Sequence, residues 1–433
     1  MPPHLPHRAP TALVRIVAAA RRRHSGGEIV VGHHNQNVIL PLGQPLAFLL
    51  RMESGRVRAK FRVPRETLEV VPRIWSESEV LRVVNERLGD VPRCLIDLGE
   101  WSLHDYIEGR ALSEVVPEGP VGQARIAALA AFFARLADVP VEELPERPDS
   151  WPDADDSHGF LCRLAAFAEK VHADHRPRFR RLFESLDIPD DLVGRFVQSV
   201  PELTRRPFSL LHTDVHRANV VVTSTTDGER LSVLDWELSL YGDPLHDLAT
   251  HLVRMKYPKA EQELMTQSWA DALRQAGHRR KTAGLEQDLP FYLGFEYVQS
   301  VFPDVMRAAL ALPAEPEADD YETAARQVHS ALRRAWRPLG EDGKPMWDRP
   351  LIDEVAAARA LRLWHAEERA CGFGAPEDSG PRPWWRRKEK AGWCPTADRP
   401  RGIGTTPPIR QAQGQGSSTE AGESLESLER HVS

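Results

Sequence analysis

One segment constrains this chain more than any other: a β-rich interlude, Ser209 to Leu240, set between long helical stretches. From Pro207 it reads P-F-S-L-L-H-T-D-V-H-R-A-N-V-V-V-T-S-T-T-D-G-E-R-L-S-V-L-D-W-E. Two short β-type runs, Val220–Thr223 and Leu231–Leu234, flank Asp227-Gly228, a dipeptide that favours a tight hairpin. Asn219 and Asp235 each lie eight positions from Asp227. That spacing predicts that they face each other across an antiparallel pair, about 4.5–5.5 Å apart at Cα. Asp214, on the loop leading into the first strand, reaches the same place. Two carboxylates and an amide oxygen suit a hard cation such as Mg²⁺, which takes few protein oxygens and completes its shell with phosphates and water. Any one of these residues alone reads as a turn stabiliser. The three together, preceded by His212, read as a functional cluster.

H-T-D-V-H-R-A-N resembles the H-x-D-x-x-x-x-N catalytic loop of the aminoglycoside phosphotransferase and choline kinase families, which are relatives of the protein kinases. L-D-W-E resembles the metal-binding segment that stands in for D-F-G in those families, and G-D-P-L-H-D-L-A is similar to their downstream G-D-P-x-x-D-L-A. The resemblance spans roughly Gly27 to Cys371. It implies that Asp214 is the catalytic base toward a substrate hydroxyl, and that Asn219 and Asp235 hold the Mg²⁺ ions bridging the phosphates of ATP. Asp243 and Pro244 also read as the N-cap and first position of a helix, so a structural role is expected for Asp243. Asp247 reads either as an acid at the positive helix end or as a brace for the catalytic loop.

A kinase-like small lobe also needs a strand cation for the phosphates, oriented by a helix glutamate. V-V-P-R-I-W-S-E-S-E-V-L-R resembles that strand-to-helix passage, with Arg73 as the cation and Glu77 or Glu79 as its partner. Lys60, in R-A-K-F-R, is the rival cation. G-H-H-N-Q-N-V-I-L-P-L occupies the phosphate-loop position with the single glycine Gly32. W-S-L-H-D-Y-I-E-G resembles the hinge, whose backbone at Asp105–Ile107 is expected to pair with adenine.

Composition narrows the alternatives. With 56 basic and 63 acidic residues the net charge is −7, which argues against a nucleic-acid partner. The longest apolar candidate, Ala124–Leu136, contains Arg125 and Arg135 and falls short of the roughly 20 residues that span a bilayer. In T-A-L-V-R-I-V-A-A-A-R-R-R, Arg15 interrupts the apolar part and the arginine cluster lies on the wrong side for a signal peptide, so a short amphipathic helix is expected. The four cysteines form no C-x-x-C pair, which points away from disulfides and zinc and toward a cytoplasmic location. His212 and His216 have i, i+4 spacing but lack the glutamate of a zinc hydrolase motif.

The expected fold is α+β: a two-lobed protein-kinase-like arrangement with an N-terminal antiparallel sheet lobe and a helical C-terminal lobe. The expected divisions are an extension at 1–26, a nucleotide-binding lobe at 27–109, a catalytic and substrate lobe at 110–371, and a disordered tail at 372–433, whose composition cannot offset its ordering entropy. Helices are expected at Ser76–Leu88, Ala124–Ala137, Gly159–Asp174, Arg178–Leu186, Leu245–Met255, Ala260–Gln275, Phe291–Leu312, Tyr321–Trp336 and Leu351–Cys371. The function this implies is transfer of the γ-phosphate of ATP to a hydroxyl of a small molecule, an aminoglycoside-like antibiotic or a hydroxylated metabolite. Asp304 and the acidic run Glu315–Glu322 are the carboxylates a polycationic acceptor would meet. The alternative is a nucleotide-binding regulatory protein that has lost catalysis, against which intact Asp214, Asn219 and Asp235 argue. Protein substrates are not expected, because no A-P-E segment follows Asp235. The substrate and the oligomeric state are not legible.

Overall fold

Short extended runs rich in β-branched residues build an antiparallel sheet at the start of the chain. The computed structural model describes residues 28–31, 35–41, 58–64, 71–97, 102–340 and 343–370. The chain divides into two units, Met1–Pro376 and Glu377–Ser433, and all the described residues fall in the first. The expected N-terminal amphipathic helix, Gly32 and the tail lie outside the described residues.

The first sheet contains β1 (Glu28–Val31), β2 (Asn35–Pro41), β3 (Arg58–Pro64), β4 (Cys94–Asp97) and β5 (Ser102–Asp105), in the order β1-β2-β3-β5-β4. All neighbours are antiparallel, and the register sets Lys60 between Ile39 on β2 and His104 on β5. Between β3 and β4 in sequence comes α1 (Glu77–Leu88). Its N-terminus carries a reciprocal cap, Ser76 with Glu79, and Gly89 ends it at φ 71°. Val80, Leu81, Val84 and Leu88 form its buried face, as their spacing predicts.

A tight crossing follows. Gly109 has φ 147°, and a Cβ there would come within 2.5 Å of the Val222 carbonyl oxygen. Only glycine lets the chain pass this close. Beyond it β6 (Arg110–Ala111) pairs with β8 (Val220–Thr225), which pairs in turn with β9 (Gly228–Val233); β7 (Ser209–Leu211) pairs with β10 (Leu240–Gly242).

The rest is helical: α2 (Leu112–Val115), α3 (Gln123–Ala137), α4 (Ser157–Ser185), α5 (Leu192–Ser199), α6 (Pro244–Met255), α7 (Lys259–Gln275), α8 (Leu285–Gln299), α9 (Val301–Leu310), α10 (Ala318–Trp336) and α11 (Glu354–Ala370). One contiguous apolar core runs from Val71 to Trp364.

Three expectations are corrected. The strand expected at the start of V-V-P-R-I-W-S-E-S-E-V-L-R is absent over its described part, residues 71–75. Pro72 cannot donate to a ladder, and Val71 and Trp75 bury their side chains from an irregular segment. The two helices expected around Pro177 are one, α4, because Val171, His172, Phe179, Leu182 and Phe183 are buried on both sides of the proline; their packing offsets a defect of about 3 kcal/mol. The single helix expected at Phe291–Leu312 is two. Pro303 is the third residue of α9, where a helix needs no N–H donor, so the chain restarts at Val301.

Candidate active site

β7 delivers the chain into the H-T-D loop, and a buried carboxylate shapes that loop. The backbone N–H groups of His212 and Thr213 donate to the two oxygens of Asp247, each at 2.8 Å. Burial pushes the Asp247 carboxyl up to about 7, against these two hydrogen bonds. Thr213 adopts φ 61°, unusual for a β-branched residue. Its hydroxyl donates to the Leu238 carbonyl at 2.6 Å, which helps hold it there. His212 is wholly buried; its Nδ1 accepts the Asp214 N–H at 3.2 Å, and so its Nε2 carries the proton and donates to the Leu234 carbonyl at 3.1 Å. Burial drops this imidazole to about 4, so it is neutral near pH 7. Asp247 is thus the brace between α6 and the loop, and Asp243 is an N-cap that accepts from the Leu245 N–H at 3.0 Å.

The loop and hairpin bring Asp214 and Asn219 together. The Asn219 Nδ2 donates to the Asp214 side chain at 2.9 Å and to its carbonyl at 3.1 Å. The hairpin differs by one residue from the spacing argument. Its register pairs Val220 with Val233 and Thr225 with Gly228, so Thr226 and Asp227 form the turn, and the positive φ (121°) falls on Gly228. Asn219 therefore faces Leu234, whose N–H donates to its carbonyl at 2.8 Å. Asp235 stands two residues beyond the ladder at φ 69°, a conformation that costs a non-glycine residue about 1 kcal/mol or more.

Asp214 is 6% exposed. Burial opposes its ionisation, but Arg254, His216 and His212 outweigh that and hold its carboxyl well below the usual carboxylate range. Arg254, on α6, makes a direct ion pair with its Oδ1, and the His216 Nε2 lies 3.4 Å from the same oxygen.

On the sheet side, α1 reaches the L-D-W-E segment. Glu77 accepts the Trp236 N–H at 3.1 Å and lies 3.9 Å from the His104 Nε2. Glu79 instead accepts from the Ser76 N–H at 3.0 Å and the Ser76 hydroxyl at 2.6 Å, as part of the helix cap. Arg73 lies on the irregular segment before α1, 3.5 Å from Glu237. Lys60 occupies β3 in register with His104 on β5. The Asp105 N–H is bonded to the Arg93 carbonyl at 3.1 Å and its carboxylate pairs with the Arg93 Nε at 2.7 Å; Ile107 lies on the segment leading to Gly109.

Three arginines escaped the sequence reading. Arg254 contacts Asp214. Arg217, inside H-R-A-N, donates to the carbonyls of Met255, Val116 and Gly119 at 3.0, 2.7 and 2.6 Å, tying the loop to the end of α6. Arg206 is fully buried, with its Nη2 2.6 Å from Asp243 and its Nη1 2.5 Å from Asp288. Arg217 was the one with a local signal, a charged residue within a run that had to be buried. The other two depend on contacts distant in sequence.

Residues 43–285 match the family model of the phosphotransferase enzyme family. This is more than half of the chain, and the chain belongs to that family of small-molecule phosphotransferases, which have a protein-kinase-like fold. Among solved structures, an ethanolamine kinase from Plasmodium vivax is similar at 12% identity and a TM-score of 0.48, covering 72% of this chain and 85% of its own. A macrolide 2'-phosphotransferase from Brachybacterium faecium is 19% identical, with a TM-score of 0.37 and coverage of 73% and 97%. A choline kinase from Streptococcus pneumoniae is 12% identical, with a TM-score of 0.42 and coverage of 75% and 97%. No curated protein matches the sequence. Among the described residues, no helix is long and apolar enough to cross a membrane.

Proposed function

We propose that this protein transfers the γ-phosphate of ATP to a hydroxyl group of a small molecule. The observation that carries the reading is the bond between Asn219 and Asp214 at the foot of the hairpin that leads on to Asp235. With its nitrogen committed to Asp214, Asn219 has its amide oxygen for a cation, and Asp235 supplies a carboxylate. These are hard oxygen donors that fit Mg²⁺ shared with phosphates. The bound ion would neutralise charge on the phosphoryl group as it moves. Asp214, kept ionised by Arg254, accepts a hydrogen bond from the acceptor hydroxyl, orients it, and takes its proton as the new O–P bond forms and the bond from the γ-phosphorus to the leaving ADP oxygen breaks.

In this reading Gly109 divides a nucleotide lobe from a catalytic lobe, and the peptide groups at Asp105–Ile107 meet adenine. Because the Asp105 N–H is already bonded to Arg93, the Ile107 peptide is the better donor. The register favours Lys60 over Arg73 as the phosphate cation, with Glu77 as its partner, since Glu79 serves the helix cap. A coupled ATPase screen over hydroxylated small molecules tests the proposal. At least one compound should raise turnover well above the water-only rate. ATP binding without turnover across a broad screen would instead favour a regulatory role.

A further inference from the structure

Three arginines lie on the helices that meet Asp214, one of them in direct contact with it. Arg254, on the last turn of α6, pairs with Asp214 and keeps 27% of its side chain exposed. Arg307, on α9, is close enough to both for their charges to act on its guanidinium. It bonds the Oδ1 of Asp304 at 2.9 Å and is 41% exposed. Arg334, on α10, lies 3.6 Å from the other Asp304 oxygen and 5.8 Å from the Tyr297 ring centre. Its Nε has no hydrogen-bond partner.

Their acidic neighbours are Asp214 beside Arg254, Asp304 between Arg307 and Arg334, and Glu296, whose charge acts on Arg254. Glu296 is buried on α8, where its Oε1 accepts from Gln299 at 2.7 Å, and burial lifts its carboxyl to about 7. Asp304, which in the sequence looked open to a polycation, is thus engaged by two arginines. Within the acidic run Glu315–Glu322, Glu317 and Asp320 form the reciprocal cap of α10.

Building on the phosphotransferase reading above, we infer that the acceptor carries an anionic group beside its reactive hydroxyl, a carboxylate or a phosphate, which Arg307 and Arg334 receive while Asp214 holds the hydroxyl. A polycation would meet guanidinium groups here. An anion gains charge-assisted bonds from planar, partly exposed arginines, the geometry that carboxylates and phosphates match best.

The test compares compounds that differ in charge: sorbitol, gluconate and glucosamine for the carboxylate arm, glycerol and glycerol phosphate for the phosphate arm. The full chain with Mg²⁺·ATP is assayed by calorimetric binding and by turnover. The anionic member should bind at least about tenfold more tightly than its neutral counterpart, as expected for one charge-assisted contact. Arg307→Gln and Arg334→Gln should each shrink that ratio several-fold, and Asp304→Asn, which releases both arginines, should enlarge it. Equal binding across charges, tighter binding of glucosamine, or a ratio untouched by the arginine variants overturns the inference. Turnover that prefers glucosamine sinks the inference and spares the kinase reading. Charge-selective binding that depends on Arg307, without turnover, does the reverse.

Discussion

The Glu77 carboxylate accepts the backbone N–H of Trp236 at 3.1 Å, which ties the first turn of α1 to the residue after Asp235. Trp236 is itself fully buried, with its ring 4.6 Å from that of His212 and 5.9 Å from that of Phe132. A displacement of α1 therefore reaches both Asp235 and the H-T-D loop.

The first prediction follows from that link and from the β3–β5 register. Lys60→Ala and Glu77→Ala should each weaken Mg²⁺·ATP binding about tenfold or more, and the double variant should lose less than the two effects combined, because they act as one unit. Arg73→Ala should weaken binding less. Calorimetry on the four variants checks this, and an Arg73→Ala loss larger than that of Lys60→Ala would reverse the assignment.

Buried ionic contacts give the second. Arg206 is the shared partner of Asp243 and Asp288, and the Tyr292 hydroxyl adds a hydrogen bond to Asp243 at 2.9 Å. Arg206→Met strands two carboxylates, a change that typically costs about 3–5 kcal/mol. Urea unfolding should show a loss of this order. A loss below 1 kcal/mol, a limit set by what an exposed pair costs (~0–1 kcal/mol), would show that the network contributes little.

pH dependence supplies the third. The His251 Nδ1 donates to the Val215 carbonyl at 2.8 Å and its Nε2 accepts from the Tyr257 hydroxyl at 3.0 Å, and burial drops the ring to about 4. The unfolded chain takes up this proton near 6.5, so it holds more protons than the folded state between the two values. The histidine's contribution is full above about pH 6.5 and is lost as pH falls toward 4. Asp247 and Glu296, both raised to about 7, act in the opposite direction over part of that window and favour folding at lower pH. The isolating comparison is wild type against His251→Phe. Their stability difference should shrink by about 1 kcal/mol between pH 7 and 5.5. A constant difference would mean that the ring is not buried in its neutral form.

Much of this architecture could be read from local pattern. The spacing of Val80, Leu81, Val84 and Leu88 announced α1, and the Asp243-Pro244 pair announced α6, because both signals act between neighbours a few residues apart. H-T-D-V-H-R-A-N and L-D-W-E were legible as motifs, and the hairpin between them as a turn signal. The one-residue error at its foot arose because Gly228 takes the positive φ as the first residue of the returning strand, so the turn lies before it, at Thr226 and Asp227. Arg254 and Arg206 were invisible for a different reason. Each is an ordinary charged residue in sequence, and its role appears only when a partner 40 or 37 positions away is packed against it. The short helix α5 went unseen because Leu192, Val193 and Phe196 supply less than two turns of apolar period.

The central claim is the division of labour between Asp214 and Asp235. The direct measurement is calorimetric Mg²⁺·ATP affinity beside turnover, for wild type, Asp214→Asn and Asp235→Ala, with an acceptor found in the screen. Asp214→Asn should bind nucleotide almost as well as wild type while turnover falls about 10²–10⁴-fold, the usual cost of losing a general base. Asp235→Ala should lose both. Undiminished turnover in Asp214→Asn, or Mg²⁺-dependent binding that survives intact in Asp235→Ala, would contradict the account.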